Sequence, residues 1–289
     1  MKDAVSHEGI SFADDLGSFD FAANIDMLVH VLCLHGSFGF TRNHTRFNVS
    51  SGDYVILTAG LGVADISYSD DVSVIIMYFP ERVVLASAIR SNYGVFGHLA
   101  LIENPVMKLS LIDFVRCRRD MENLHERVAE TTHIFHEELT GALLKAHILD
   151  LYDIHSRIYR KIEINSRPAR ILREFIEMLI NGDYKAHRKL DYYASALCIT
   201  PHYLTEISKK ISGRPATYWI ELFLVRASTI ALMRFNSPLD EIADELSFSS
   251  LSHFSRFIKS KLGVSPTQFR HQFRALKKSD DINDIKAGD

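Results

Sequence analysis

The chain has 289 residues, of which 47% are hydrophobic and 24% are charged, with a net charge of −3. This length suffices for a large buried core and for two domains. The three cysteines are scattered and form no Cys-x-x-Cys pair, which excludes a disulfide framework and a zinc site built from cysteine pairs. Residues 1–15 lack the basic and apolar blocks of a signal peptide, and no run of about 18 apolar residues occurs, so we expect a cytoplasmic protein without a membrane segment.

Charge is distributed unevenly along the chain. Residues 186–274 hold 12 Lys and Arg against 7 Asp and Glu, a net charge of +5. Residues 1–108 hold 6 against 12, a net charge of −6. This segregation indicates a module that faces a polyanion, joined to a part with another task.

The first third of the chain reads as strands. Residues 27–36, 54–60 and 71–80 are apolar, β-branched runs bounded by Gly, Asn, Ser and Asp. The Ser-Gly-Asp sequence at 51–53 predicts a hairpin or a bulge. Several short strands with tight turns predict an antiparallel sandwich or small barrel, and a barrel interior can hold one small ligand.

After Pro105 the apolar residues follow helical periodicity. In one helix they step alternately by four and three residues, as in a helix-pairing seam. Two interpretations stand: the helix forms a dimer contact, or it packs on its own domain. A further helix is predicted from about 168 to 181–182, after Ser166 or Arg167. The members of the seam are Leu144, Ile148, Leu151, His155, Ile158 and Ile162.

The last third contains an internal repeat. Residues 196–213 align with residues 245–263, with one extra residue in the second copy. An aromatic residue follows each terminal glycine at the same distance, Trp219 in the first copy and Phe269 in the second. We expect both to be core anchors. A repeat of about 50 residues is typical of a duplicated supersecondary unit.

Each copy reads as a helix-turn-helix unit. In the first, Thr200 is predicted to cap a helix that begins at Pro201. In the second, Ser237 is predicted to cap the first helix at Pro238, and Ser249 or Ser250 to cap the second. Gly213 and Gly263 are predicted to end their helices as C-caps.

The second helix of the second copy has two contrasting faces. Phe254, Phe257, Ile258 and Leu262 recur at steps of three and four and are predicted to anchor the helix. The intervening residues are small or basic, which suits an approach to base edges, with a bidentate arginine contact to guanine and a lysine contact to phosphate. These residues are Ser252, Ser255, Arg256 and Lys259. We expect His253 to be a packing and hydrogen-bonding residue.

Residues 186–274, and above all LDEIADELSFSSLSHFSRFIKSKLGVSPTQFR, resemble the DNA-binding domain of AraC/XylS-family transcription regulators. The resemblance implies two helix-turn-helix units joined by a long helix, here about 216–235, so that one monomer reads two neighbouring major grooves of double-stranded DNA. It also implies a cupin-like β-barrel sensor domain for a small-molecule effector, a helical dimerisation segment giving a homodimer, and contact with RNA polymerase, most often as an activator.

The base-facing positions of that family also carry over to this sequence. Glu206 stands where a basic or polar residue is commoner, and would repel phosphate unless it accepts from a cytosine amino group. Leu251 replaces a polar residue and either touches a thymine methyl group or packs inward. Ser247 replaces a frequent turn glycine, at some cost in strain. The implied DNA-binding residues are His202, Thr205, Glu206 and Lys209 in the first unit, and Ser250, Leu251, Ser252, Ser255, Arg256 and Lys259 in the second.

The predicted fold class is therefore α+β, with the amino-terminal cupin-like β-barrel, the helical dimerisation segment and an all-α carboxyl-terminal domain with two helix-turn-helix motifs. The predicted divisions are 1–108 for the sensor domain, 109–165 for the helical dimerisation and linker region, 166–274 for the DNA-binding domain, with units at 190–213 and 238–263, and 275–289 for a flexible tail.

Two alternatives remain for the amino-terminal part. A metal-dependent cupin enzyme fused to the DNA-binding domain needs a His-x-His pair and further ligands that meet at one metal. His30, His35 and His44 contain no such pair, and no nucleophile elbow, P-loop or GxGxxG occurs, so we predict no enzyme, no cofactor and no metal site. The second alternative is a regulator without a ligand, whose barrel serves only for assembly.

Overall fold

The computed structural model describes residues 9–21, 23–42, 45–80, 101, 104–158 and 166–271. The chain divides into two compact units, Met1–Asn165 and Ser166–Asp289. His44, Ile162 and the predicted tail 275–289 lie outside the described residues.

The amino-terminal unit contains two antiparallel sheets. The described strands are β1 (Ser11–Ala13), β2 (Met27–His35), β3 (Ser37–Arg42), β4 (Thr45–Ser50), β5 (Asp53–Leu57), β6 (Ala64–Tyr68), β7 (Ser73–Pro80) and β8 (Val106–Lys108). One sheet has the strand order β1-β7-β2-β5-β8, and the other has the order β4-β3-β6. The three apolar runs predicted as strands correspond to β2, β5 and β7.

Both sheets contribute alternate residues to one apolar core. Val29, Val31 and Cys33 of β2 belong to the same buried cluster as Phe38 and Phe40 of β3. Side chains of a strand point alternately to its two faces, so every second residue of β2 reaches this core. The described strands form two separate sheets rather than a closed cylinder. The predicted closed barrel is therefore wrong for the described strands, which have a two-sheet arrangement.

The tight turn predicted at 51–53 is present, but of its two predicted forms the hairpin is wrong. Gly52 has the left-handed φ of 90° that a tight turn needs, and its N–H donates to the Cys33 carbonyl at 2.9 Å. The strands on either side of this turn, β4 and β5, belong to different sheets. The turn therefore carries the chain from one sheet to the other, which a local turn signal does not distinguish from a hairpin.

Two helices, α1 (Leu111–Ala129) and α2 (His136–Ile158), complete the described part of this unit. The Ser110 hydroxyl caps α1 and accepts from the Asp113 N–H at 3.2 Å. The Arg157 guanidinium donates two hydrogen bonds to the Asp113 carboxylate, at 2.8 and 3.1 Å, and so joins the end of α2 to the start of α1. These bonds hold the pKa of Asp113 below its ordinary value.

The predicted seam on α2 faces the interior of its own unit. Leu144, Ile148, Leu151 and His155 are all buried, whereas Ile158 is exposed. The periodicity therefore reflects packing within the domain, the second of the two interpretations, and these four side chains are not accessible to a partner subunit.

The carboxyl-terminal unit is helical throughout its described secondary structure. Ser166 caps α3 and accepts from the Ala169 N–H at 3.3 Å, in agreement with the predicted start. The buried Trp219 and Phe269 are core anchors, as predicted. The helices are α3 (Arg167–Ile180), α4 (Leu190–Ala196), α5 (Pro201–Ser212), α6 (Ala216–Met233), α7 (Leu239–Glu245) and α8 (Leu251–Leu262), and residues 266–271 are also helical.

Helix α6 is long and apolar enough to cross a membrane by length and composition, with a mean hydropathy of 1.2 over 18 residues. Its side chains instead form the centre of the carboxyl-terminal unit, where Trp219 and Leu232 are fully buried. The helix is therefore the core helix of this unit, and at about 1.5 Å per residue it is about 27 Å long.

Candidate nucleic-acid interface

The turns of the two helix-turn-helix units begin with equivalent hydrogen bonds. Helices α4 and α5 form the first, and α7 and α8 form the second. In the first turn, the N–H groups of Leu197, Cys198 and Ile199 donate to the carbonyls of Tyr193, Ser195 and Ala194. In the second turn, the equivalent N–H groups of Leu246, Ser247 and Phe248 donate to Ile242, Asp244 and Ala243. The repeat in the sequence is therefore a repeat of hydrogen bonds.

One residue in each turn has a left-handed backbone. Cys198 has a φ of 53°, and Ser247 has a φ of 54°. A non-glycine residue in this region costs about 1 kcal/mol or more. The strain expected at Ser247 is thus present, and it has an equivalent in the first unit at Cys198.

Caps fix both ends of α5 and α8. Thr200 accepts from the Tyr203 N–H at 3.2 Å, and Ser250 accepts from the His253 N–H at 3.2 Å. Gly213 and Gly263 end the two helices with φ of 76° and 77°. These caps are the predicted ones, and of the two serines proposed for the second unit it is Ser250, not Ser249, that forms the cap.

The predicted cap at Ser237 is wrong. The N-cap of α7 is Pro238, which makes no side-chain hydrogen bond there, and α7 begins at Leu239. The Ser237 carbonyl instead accepts from the Arg270 guanidinium at 2.6 Å.

Helix α8 is held by an aromatic cluster beneath it. Phe254 and Ile258 are fully buried. The ring of Phe248, in the turn, lies 5.1 Å from the Phe254 ring and 5.3 Å from the Phe257 ring between centroids. The anchoring face predicted from the spacing of three and four is therefore correct.

The opposite face of α8 is small, basic and exposed. Ser252, Arg256 and Lys259 are exposed, and Ser255 is half-buried beside them. The Arg256 Nε lies 3.4 Å from the Ser252 carbonyl, a weak contact that leaves the guanidinium on the surface. Leu251 is 41% exposed, so it does not pack inward as one of its two interpretations required.

His253 lies at the edge of this face, where its Nδ1 is 3.1 Å from the Ser249 hydroxyl. Its ring packs against Phe248 with centroids 5.3 Å apart. The expected packing and hydrogen-bonding role fits this position, although the residue is exposed.

Helix α5 presents a more mixed face. His202, Glu206 and Lys209 are exposed, and Thr205 is half-buried with its hydroxyl donating to the Pro201 carbonyl at 3.1 Å. The Glu206 carboxylate and the Lys209 ammonium lie 3.9 Å apart. This ion pair offsets the negative charge of Glu206 on the exposed face of the first helix-turn-helix unit.

One contact between the two helix-turn-helix units was not predicted from the sequence. The Arg188 guanidinium, just before α4, lies 3.8 Å from the centre of the Phe248 ring and donates to the Leu246 carbonyl. One difference between the two copies of the repeat could have pointed to this contact: Phe248 stands where the first copy has Ile199.

No group of three His, Cys, Asp or Glu residues that could hold a metal occurs in the part of the chain that the structure describes. The buried His30 Nδ1 lies 3.0 Å from the Tyr54 hydroxyl, whereas His35 is exposed. These two histidines of β2 therefore do not meet at one point.

Comparison with known proteins gives a domain match and a fold. Residues 193–272 match the family model of a helix-turn-helix domain. An uncharacterised HTH-type transcriptional regulator of Bacillus subtilis, YtdP, is 24% identical over 98 residues, which are 34% of this chain and 13% of that protein. The chain thus spans only about an eighth of the length of this curated relative.

The structures of ToxT from Vibrio cholerae extend the similarity to most of the chain. Wild-type ToxT with a bound unsaturated fatty acid is 17% identical, with a TM-score of 0.51 and coverage of 93% of this chain and 97% of that one. ToxT with a naphthalenyl butenoic acid is 14% identical, with a TM-score of 0.52 and coverage of 92% and 98%. The mixed α+β fold is shared with ToxT, and residues 193–272 match a helix-turn-helix domain, the kind of domain that the AraC/XylS resemblance in the sequence implied.

Proposed function

We propose that the chain is a sequence-specific DNA-binding transcription regulator that contacts two neighbouring major grooves of one duplex. The observation that carries the proposal is the exposed face of α8, with Ser252, Arg256 and Lys259 on a helix fixed from behind by Phe254 and Ile258. A rigid helix with a small, basic outer face is what entry into a major groove requires.

Within this proposal the residues of α8 have distinct tasks. Arg256 makes a bidentate contact with a guanine, Lys259 contacts a phosphate, and Ser252 and Ser255 let the helix approach the bases closely. Leu251, exposed at the first turn, contacts a thymine methyl group. Ser250 caps the N-terminus of α8, the end at which the helix dipole favours a phosphate of the DNA backbone.

Helix α5 supplies the second set of contacts through His202, Thr205, Glu206 and Lys209. Glu206 accepts from a cytosine amino group, and Lys209 reduces its repulsion of phosphate. The connecting helix α6 is about 27 Å long, which is comparable with the roughly 34 Å between successive major grooves.

We propose in addition that the amino-terminal unit, although cupin-like closure is not seen in its described strands, binds an apolar effector between its two sheets. A small cavity lies there and is lined only by apolar side chains, among them Leu16, Phe21, Val31, Phe40 and Leu57. ToxT, whose fold is shared, has been crystallised with an unsaturated fatty acid. The cavity has room for about one water molecule, whereas ligand pockets usually hold about 300 Å³ or more, so an effector can bind only if the two sheets move apart.

A thermal-shift series tests this effector. Fatty acids of graded length should raise the melting temperature of the wild-type protein, because a ligand held only by the folded state stabilises it. Val31→Ile adds one methylene group to the lining and should reduce the shift. An undiminished shift in this variant would place the ligand elsewhere, and the absence of any shift in the wild type would favour a regulator without a ligand.

We also propose that the protein is a homodimer, joined through α1 rather than through the buried face of α2. Leu111 and Ile112 are 78% and 74% exposed, and Val115 lies on the same helix, also exposed. Ile112→Glu should convert the dimer to a monomer in sedimentation velocity. Thr131→Glu, at an exposed site beyond the end of α1, is the matched control.

The proposal places the protein in the cytoplasm, gives it RNA polymerase as a partner at activated promoters, and assigns it no catalytic role. A metal-dependent enzyme in the amino-terminal unit is the rival. Elemental analysis of the purified protein decides between them, since the rival requires a transition metal at a ratio near one per chain.

Capture of fragments from the encoding genome by the purified protein tests the central proposal. The captured fragments should share a motif with two conserved blocks about one helical turn, roughly 10 base pairs, apart. They should also outcompete random duplex at moderate salt. Failure to prefer any fragment, with and without cell extract as an effector source, would refute the proposal.

A further inference from the structure

Arg188 connects the first helix-turn-helix unit to the turn of the second. Its guanidinium stacks on the Phe248 ring at 3.8 Å and donates a hydrogen bond to the carbonyl of Leu246, the C-cap residue of α7. A guanidinium over an aromatic face, with a charge-assisted hydrogen bond beside it, is a directional contact rather than a loose one.

The backbone that carries Arg188 is fixed to the first unit. The Tyr193 hydroxyl donates to the His187 carbonyl at 2.7 Å. Tyr193 is fully buried, with its ring 5.2 Å from that of Phe175. The His187 ring stacks on Tyr192 with centroids 3.6 Å apart. Arg188 therefore projects from a rigid segment.

The other end of the contact is fixed to the recognition helix of the second unit. The Phe248 ring that receives Arg188 also packs against His253, Phe254 and Phe257 of α8. A displacement of Arg188 relative to this ring is a displacement of the first unit relative to α8.

The repeat supports a special purpose for this contact. The two turns share their hydrogen bonds and their left-handed residue, yet the first has Ile199 where the second has Phe248. Ile199 offers no aromatic face to a cation. The aromatic ring occurs in the copy whose turn meets the arginine.

We propose that Arg188 is a positioning residue that fixes the orientation of the two helix-turn-helix units and thereby sets the spacing between the two contact blocks in DNA. This inference rests on the proposed function. Helix α6 joins the two helix-turn-helix units in sequence, and the Arg188 contact is a second link, away from that helix, which opposes rotation about it.

The test compares binding to the captured duplex with binding to the same duplex carrying one inserted base pair between its blocks. One base pair moves the second block by about 3.4 Å and rotates it by about 35°. Wild-type protein should bind the inserted duplex much more weakly. Arg188→Met keeps the unbranched stem but removes the cation, and should reduce this penalty about tenfold, or about 1.4 kcal/mol.

Two further variants separate positioning from charge and from folding. Arg188→Lys keeps the charge but loses the planar stack and the forked donor, so it should also relax the spacing while the salt dependence stays as in the wild type. Lys189→Met removes one neighbouring exposed charge and should retain the full insertion penalty. If Arg188→Met does not fold, the lysine variant decides.

An unchanged insertion penalty in the folded Arg188 variants would overturn this inference and leave the proposed function intact. If the wild-type protein shows no preferred duplex at all, the proposed function fails and the inference fails with it.

Discussion

Acid should destabilise the amino-terminal unit, because it contains buried neutral histidines. The Tyr54 hydroxyl lies 3.0 Å from His30 Nδ1 and 2.8 Å from His147 Nε2, and all three side chains are buried. His147 Nδ1 has no hydrogen-bond partner among the described residues. A buried imidazolium lacks the solvation that water gives it, so burial lowers the pKa of His147 to about 4 and that of His155 to about 4.

The sign and size of the effect follow from these pKa values. Between pH 6.5 and about 4 the unfolded imidazole binds a proton that the folded one does not, so the free energy of unfolding falls as the pH falls. For one histidine with a folded pKa of about 4, the loss between pH 7.5 and pH 5 is about 2 kcal/mol. Burial also lowers the pKa of His30, which adds to the loss.

The perturbation is His147→Gln, which keeps an amide near the Tyr54 hydroxyl but cannot take up a proton. We expect the difference in unfolding free energy between pH 7.5 and pH 5 to shrink by about 2 kcal/mol. Urea titrations with pulsed hydrogen exchange, read on peptides from β2, report on this unit. Fluorescence of Trp219, the single tryptophan, reports on the other unit, and its pH dependence should not change. An equal pH dependence of the β2 peptides in wild type and variant would refute the reasoning.

Three predictions concern the helix-turn-helix units. Arg256→Ala should weaken binding at one base pair of the operator by about 1–3 kcal/mol, measured with a set of single-base operator variants; an equal loss on every sequence would argue against base readout. Lys259→Ala should lower affinity evenly across sequences and reduce the slope of log affinity against log salt by about one, and an unchanged slope would exclude the phosphate contact. Ser247→Gly should raise the free energy of unfolding followed by Trp219 fluorescence by about 0.5 kcal/mol, the relief of left-handed strain less the entropy of glycine, whereas a loss would show that Ser247 is not strained.

Local signals in the sequence predicted most helix ends of the carboxyl-terminal unit, with the cap at Ser237 as an exception. Caps such as Thr200 and the C-cap glycines act within four residues of their helix, and the repeat marks the same turn twice. The contrasting faces of α8 follow from helical spacing alone. Each of these features depends on neighbours in sequence, where the sequence carries the information.

The features that escaped prediction depend on residues far apart in the chain. The sequence around Gly52 is compatible both with a strand that pairs with the preceding strand and with one that joins another sheet. The apolar periodicity of α2 is compatible both with a contact to a partner subunit and with packing on its own domain. The hydrogen bonds from Tyr54 to His147 and from Arg188 to Leu246 join residues 93 and 58 positions apart in the sequence. No pattern of neighbouring residues predicts such bonds.

Hydroxyl-radical footprinting of the purified protein on its captured duplex tests the two-groove account most directly. We expect two protected blocks about one helical turn, roughly 10 base pairs, apart on one face of the DNA. In Arg256→Ala, only the block under α8 should lose its protection. A single protected block in the wild type, or protection spread evenly along the duplex, would contradict it.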